Sequence, residues 1–326
     1  MRRMGYYLAG VLALPGAANA QIAAPVHYDA VSTPAPVDSK GLAHDVAIQP
    51  DHSDRITVKV MIGGRGPYNF LVDTGADHTV IGSHIAGSLN LEPAARVQLF
   101  SVAGNQKVNT ASVGKLQFSN KTLENVNAAI LDRSNLGADG VLGIDSLRSE
   151  RVTFDFRKRL MTIVPSSKAE TRVPDRDTVV VTGKLRAGRL VLTQARAANK
   201  PVNVVIDTGS DATIGNPELR RRLAGSRMIR AVGPITLQSV TGHLISGEVV
   251  TLEKLTVGGV IIENLNIVFA DAPIFKVLKL DDRPALLLGM NAIRAFDRVS
   301  IDFANKKFRV VLPETGESTQ VMLASR

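Results

Sequence analysis

Apolar residues recur along this chain in short bursts rather than long runs. In "RITVKVMIGG" (55–64), Ile56, Val58, Val60 and Ile62 alternate with other residues before a Gly pair. Alternation with period two predicts a strand with one buried face, and the glycines end it. Val-, Ile- and Thr-rich segments of the same kind, punctuated by Gly, Asn and Pro, continue toward residue 313. They predict a mainly β chain with a few short helices. One helix is expected in "NPELRRRLAG" (216–225), with Asn216 as N-cap, Pro217 at the first helical position and Gly225 at the C-terminal end. Two segments of paired apolar residues followed by Gly, at 141–143 and 287–289, each lead into a further short helix, with Asp145 and Asn291 as candidate N-caps.

The pattern occurs twice. "GPYNFLVDTGAD" (66–77) matches "KPVNVVIDTGSD" (200–211), with Asp73 and Asp207 separated by 207 − 73 = 134. "SVAG" (101–104) matches "SVTG" (239–242), "LENVNAAIL" (123–131) resembles "IENLNIVFA" (262–270), and "VLGIDSLR" (141–148) matches "LLGMNAIR" (287–294). "VTFDF" (152–156) matches "VSIDF" (299–303), by then at an offset of 299 − 152 = 147. Constant order with a growing offset is the trace of one duplicated, domain-sized unit. The added residues fall in the loop-like "ADAPIFKVLKLDDRPA" (270–285) of the second copy. The expected division is 44–170 for the first lobe, 171–313 for the second and 314–326 for a tail.

Composition narrows the class. With 326 residues, 44% hydrophobic, 4% aromatic and no Trp, the core rests on Val, Leu, Ile and Ala. No cysteine is present, so disulfides, thiolate metal sites and a Cys nucleophile are excluded. Arg2 and Arg3, the apolar "YYLAGVLAL" (6–14) and Ala18-Asn19-Ala20 have the form of an export signal over residues 1–20, cleaved after Ala20. A periplasmic or secreted chain is expected, without a stable membrane span once the signal is removed. Residues 21–43, with Pro25, Pro34 and Pro36, read as a linker or surface strap. The formal charge of +9 is dispersed, and its densest cluster, Arg220-Arg221-Arg222, lies on the expected helix without aromatic interleaving. That argues against a nucleic-acid partner.

The duplicated Asp-Thr-Gly carries the chemistry. Two similar lobes facing each other across a pseudo-twofold axis bring a loop from each lobe to that axis. Asp73 and Asp207 then become neighbours. Like charges this close share one proton, giving an acid and a base in one place. The carboxylate takes a proton from water, the acid hydrogen-bonds a peptide carbonyl, and the water attacks without metal, cofactor or covalent intermediate. Thr74 and Thr208 can bond backbone across the axis, while Gly75 and Gly209 leave room for close approach. Ala76 follows the first motif and Ser210 the second. A hydroxyl beside a carboxylate favours its charged form, so Asp207 is expected to hold the charge and Asp73 the proton.

As a set, these motifs over residues 44–313 resemble the retropepsin-like aspartic peptidases, in a two-lobed form. The resemblance implies a bilobal acid-protease fold of two homologous β-barrel-like lobes in pseudo-twofold arrangement. It implies Asp73 and Asp207 as the catalytic dyad, supported by Thr74, Gly75, Thr208, Gly209 and Ser210. It puts Asp77 and Asp211 where retropepsins bind substrate backbone. Two flap hairpins are implied, with tips at Val102, Ala103 and Gly104 and at Val240, Thr241 and Gly242. Pepsins use one flap bearing a Tyr, whereas the tyrosines here are Tyr6, Tyr7, Tyr28 and Tyr68. Retroviral enzymes place an Arg after the paired-apolar Gly, as partner to the second motif Asp. Here Ile144 and Met290 stand there. Arg148 and Arg294, further along, are either substitutes or helix-surface charge.

Asp155 and Asp302 are also duplicated carboxylates, read as structural strand-end residues. The histidines at 27, 44, 52, 78, 84 and 243 lack His-Glu-x-x-His spacing, so no metal site is expected. Gly-Ser-Asp is not the Gly-x-Ser-x-Gly of a serine hydrolase. The expected activity is aspartic endopeptidase action on an extended polypeptide outside the cytoplasm, from a site that needs no dimer. The alternative is a non-catalytic peptide-binding module on the same scaffold.

Overall fold

The computed structural model describes residues 11–13, 44–47, 49–50, 55–118, 121–167, 178–313 and 321–323. Apart from Val11–Ala13 and Val321–Leu323, the expected export signal, strap and tail lie outside the described residues.

The chain forms two β lobes and a sheet between them. In the first lobe Ile56–Ile62 and Arg65–Val72 pair antiparallel. The predicted alternation holds: Ile56, Val58, Val60 and Ile62 are buried. The short strand Gly140–Leu142 lies parallel to Arg65–Val72, in register Val141 with Leu71, and antiparallel to Val80–Gly82. The second lobe repeats this. Arg189–Ala197 pairs with Lys200–Ile206. Ala285–Leu288 lies parallel to Lys200–Ile206, in register Leu287 with Val205, and antiparallel to Thr213–Gly215. A helix follows each third strand, Ser83–Ser88 and Pro217–Leu223. The latter is the predicted one: Asn216 Oδ1 accepts from Leu219 N at 2.8 Å, and Gly225 has φ +73° just beyond its end.

Each lobe then extends a long hairpin. Pro93–Ser101 pairs with Gly104–Phe118 in the first, and Ile229–Ser239 with Leu244–Val257 in the second. Val11–Ala13 adds antiparallel to the outer edge of the second hairpin, opposite Leu237–Ser239. The segment 270–285, read as a loop, contains the short helix Ile274–Val277, whose Ile274 and Phe275 are buried.

The third sheet joins the two halves. Its order is Thr178–Thr182, Lys307–Val311, Arg298–Asp302, Glu150–Asp155, Leu160–Pro165, His44–Ala47. Glu150–Asp155 and Arg298–Asp302 pair antiparallel with Thr153 opposite Ser300. These two residues are duplicates of each other, so the pseudo-twofold axis passes between them, and Thr153 Oγ1 donates to Ser300 Oγ at 2.9 Å. Asp155 accepts from Lys158 N and Arg298 Nε, and Asp302 accepts from Asn305 N and Nδ2. Both close strand-end turns. One apolar core runs through the lobes and this sheet, including Phe70, Val72, Phe154, Ile206, Leu288 and Ile301.

Among the described residues no helix is long and apolar enough to cross a membrane.

Candidate active site

The two Asp-Thr-Gly loops meet on the axis. Each begins where its strand ends, at Val72 and at Ile206, and each Asp N–H donates to the last residue of the neighbouring short strand. Asp73 N reaches Leu142 O at 3.0 Å, and Asp207 N reaches Leu288 O at 3.1 Å. The Gly after each paired-apolar segment lets the next turn come close. Ile144 N donates to Ala76 O and Met290 N to Ser210 O, both at 2.8 Å. A Cβ on Gly143 would press on the His78 backbone, and one on Gly289 on the Ala212 backbone.

The threonines lock the two loops together. Thr74 Oγ1 donates to Ile206 O at 3.1 Å, and Thr208 Oγ1 to Val72 O at 2.7 Å. In return Thr74 N donates to Thr208 Oγ1 and Thr208 N to Thr74 Oγ1, each at 3.1 Å. All four groups are buried, so the bonds are shielded from water.

Asp73 and Asp207 are each 1% exposed. Asp73 Oδ1 accepts from Gly75 N at 2.6 Å and Ala76 N at 3.1 Å, and Asp207 Oδ1 from Gly209 N at 3.0 Å. Gly209 packs directly on the Asp73 carboxyl, where no Cβ would fit. Burial, and next the Asp207 charge, hold the Asp73 carboxyl well above the ordinary range. Burial pushes Asp207 up to about 6, with the Gly209 N–H, Arg189 and Asp73 opposing. The two carboxyls titrate as one pair. The expected role of the Ser210 hydroxyl is corrected: Ser210 Oγ donates to Ala212 O at 2.8 Å, so its proton is committed to backbone. Ser210 supports Asp207 through its own N–H instead.

Asp77 and Asp211 have arginine partners that sequence reasoning missed. Arg189 Nη1 lies 3.0 Å from Asp77 Oδ1, while its Nε donates to Gly75 O at 2.7 Å. Arg55 Nε lies 3.9 Å from Asp211 Oδ1, and its Nη2 donates to Leu136 O at 2.8 Å. Each arginine comes from the opposite lobe, and both are fully buried. Arg148, in contrast, is exposed. A signal was present: 189 − 55 is 134, the offset of the dyad, and each Arg stands 18 residues before its lobe's Asp. Even so paired, Asp77 is pushed up to about 6, because burial outweighs Arg189 and His78.

Asp145 and Asn291 are not N-caps. Gly143 and Gly289 occupy those positions. Asp145 accepts from Thr79 N and Oγ1, and Asn291 Oδ1 accepts from Thr213 Oγ1 at 2.7 Å. They tie each helix to the strand after the Asp loop, which is still a structural role.

The hairpin tips meet. Ser101 Oγ and Thr241 Oγ1 are 3.3 Å apart, and Gly104 abuts the His243 ring. Val102 and Val240 are fully buried, Ala103 and Thr241 partly so, and Gly242 lies against Asn135. The region therefore combines a buried carboxyl pair, two loops bonded to each other and two hairpin tips that touch.

A family model described as aspartyl protease matches residues 58–146 and 177–292. Each matched region holds one Asp-Thr-Gly and one paired-apolar Gly segment. A search of curated proteins found no match.

Proposed function

The chain belongs to the aspartyl protease family, and from that premise we propose that it is an endopeptidase whose Asp73 and Asp207 activate water against a peptide bond. The observation that carries this reading is the carboxyl pair: two buried aspartates from two lobes, held by cross-axis threonine bonds and both raised by burial. Asp207 as carboxylate takes the proton of the attacking water. Asp73 as acid hydrogen-bonds the scissile carbonyl and later delivers a proton to the leaving amine. Asp77 and Asp211, oriented by Arg189 and Arg55, would fix the backbone of an extended substrate on either side. The flap residues Val102, Ala103, Gly104, Val240, Thr241 and Gly242 would cover it. The form of residues 1–20 supports a periplasmic or secreted enzyme acting on exported polypeptides.

The test is a peptide library incubated with the wild-type chain and with Asp73→Asn and Asp207→Asn across acid to neutral pH. Cleavage should fall by roughly 10²–10⁴-fold in either variant. Undiminished cleavage by a variant would remove the dyad from the mechanism. Peptide binding with no cleavage by the wild type would make the chain a binding module.

A further inference from the structure

Strand alternation divides the apolar residues that lead into the two Asp loops. Residues two apart on a strand share a face and neighbours do not, so Leu71 and Val205 stand on the face opposite Val72 and Ile206, the last strand residues before the two Asp loops. Leu71 belongs to a cluster with Ala76, Val80, Val141 and Leu136. Val205 belongs to its counterpart with Val191, Ile214, Phe275 and Leu287. Phe70, Val72, Val204 and Ile206, on the other face, belong to the main core. The two smaller clusters reach the Asp-loop segments, through Ala76 in the first lobe and Ala212 in the second.

Each cluster is completed by the other lobe's hairpin. Val102, at the tip of the first lobe's hairpin, is buried in the second lobe's cluster. Val240, at the tip of the second, is buried in the first lobe's cluster. Both are 0% exposed, although they sit at tight turns, where side chains ordinarily face water. Polar contacts hold this crossed arrangement. Thr241 Oγ1 lies 3.3 Å from Ser101 Oγ of the opposite tip, 2.8 Å from Ser239 Oγ and 2.9 Å from His243 Nδ1. Gln238 Nε2 donates to Asn135 Oδ1 of the first lobe at 3.1 Å.

We infer that Val102 and Val240 are internal stand-ins for substrate side chains, and that Thr241 latches the closed flaps until substrate replaces them. This rests on the endopeptidase reading above. Each cluster receives an aliphatic side chain from the opposite lobe's hairpin tip. A substrate that displaces the valines would therefore carry uncharged, apolar side chains at both places. The duplicated "SV" of the two tips is then a duplicated plug.

The chain has no cysteine, so two introduced cysteines can be spin-labelled cleanly. Labels at Asn105→Cys and Leu244→Cys, both exposed and next to the tips, report the distance between flaps. The parent should show one short distance. Thr241→Val keeps the shape but loses the hydroxyl, and should enlarge the open population roughly 3–10-fold, the worth of one hydrogen bond. Val102→Ala with Val240→Ala should do the same by emptying the plugs. Unchanged distances in both overturn the latch, whether or not the chain cleaves peptides. In the Asp73→Asn background, anisotropy with labelled hexapeptides tests the stand-in role separately. The valine-truncated variant should gain at least threefold in affinity for Phe-flanked over Ala-flanked peptides, and an unchanged ratio overturns that role.

Discussion

Two carboxyl groups that share nearly the same surroundings hold their protons as a pair. Asp207 is pushed up to about 6 and Asp73 is raised well above the ordinary carboxyl range, chiefly because both are buried. On the proposed mechanism the working state carries one proton on the pair. As pH falls through about 6, Asp207 takes up the pair's second proton and the base is lost. The pH profile of kcat/KM should therefore have an acid limb near 6, with activity rising toward neutrality. Ser210→Ala should leave that limb where it is, because the Ser210 hydroxyl is bonded to Ala212 O rather than to Asp207. A limb displaced by a full unit in Ser210→Ala would restore the hydroxyl as the source of asymmetry. The sequence showed which residues differ between the motifs but not where a hydroxyl proton points. That direction is set by the turn, and the turn is set by tertiary packing.

Loops and strands follow the repeat more faithfully than single side chains do. The two Asp-Thr-Gly loops, both paired-apolar segments, both hairpins and the helix after Asn216 were legible because their periodicity and punctuation are local. The arginine partners were not, since each reaches across the axis to the other lobe. Arg189 bonds Gly75 O and pairs with Asp77 while fully buried. Removing it leaves a largely buried carboxylate and a carbonyl without this donor. Arg189→Met should cost about 3–5 kcal/mol, the usual toll of breaking a buried pair. Adding Asp77→Asn to Arg189→Met should cost far less than Asp77→Asn costs alone, because the stranded charge is gone. Strictly additive costs in chemical denaturation would show that the pair is not coupled. The departure at Ile144 and Met290 thus has a structural answer: the guanidinium arrives from the facing lobe rather than from the next residue.

At the scale of the whole molecule, duplication does more than supply two aspartates. Glu150–Asp155 and Arg298–Asp302 pair with each other through duplicate residues, Thr153 opposite Ser300, which makes the central sheet an isologous interface within one chain. The tandem copies were legible in the sequence, but the shared sheet was not, because Glu150–Asp155 and Arg298–Asp302 lie in different lobes and pair with each other across about 150 residues of chain. One chain thereby contains both halves of the site, both arginine cross-braces and both flaps. On the proposed mechanism a second copy need not contribute to the carboxyl pair. Specific activity should therefore stay constant as the enzyme is diluted from micromolar to nanomolar concentration. A site shared between two chains would instead lose activity once dilution passed the dissociation constant, with the rate falling as the square of concentration. Initial rates over that range, with substrate fixed and carrier protein present to prevent adsorption, separate the two cases. A quadratic fall would mean that some element outside the dyad, such as the edge of a flap hairpin, needs a partner copy to hold the closed form.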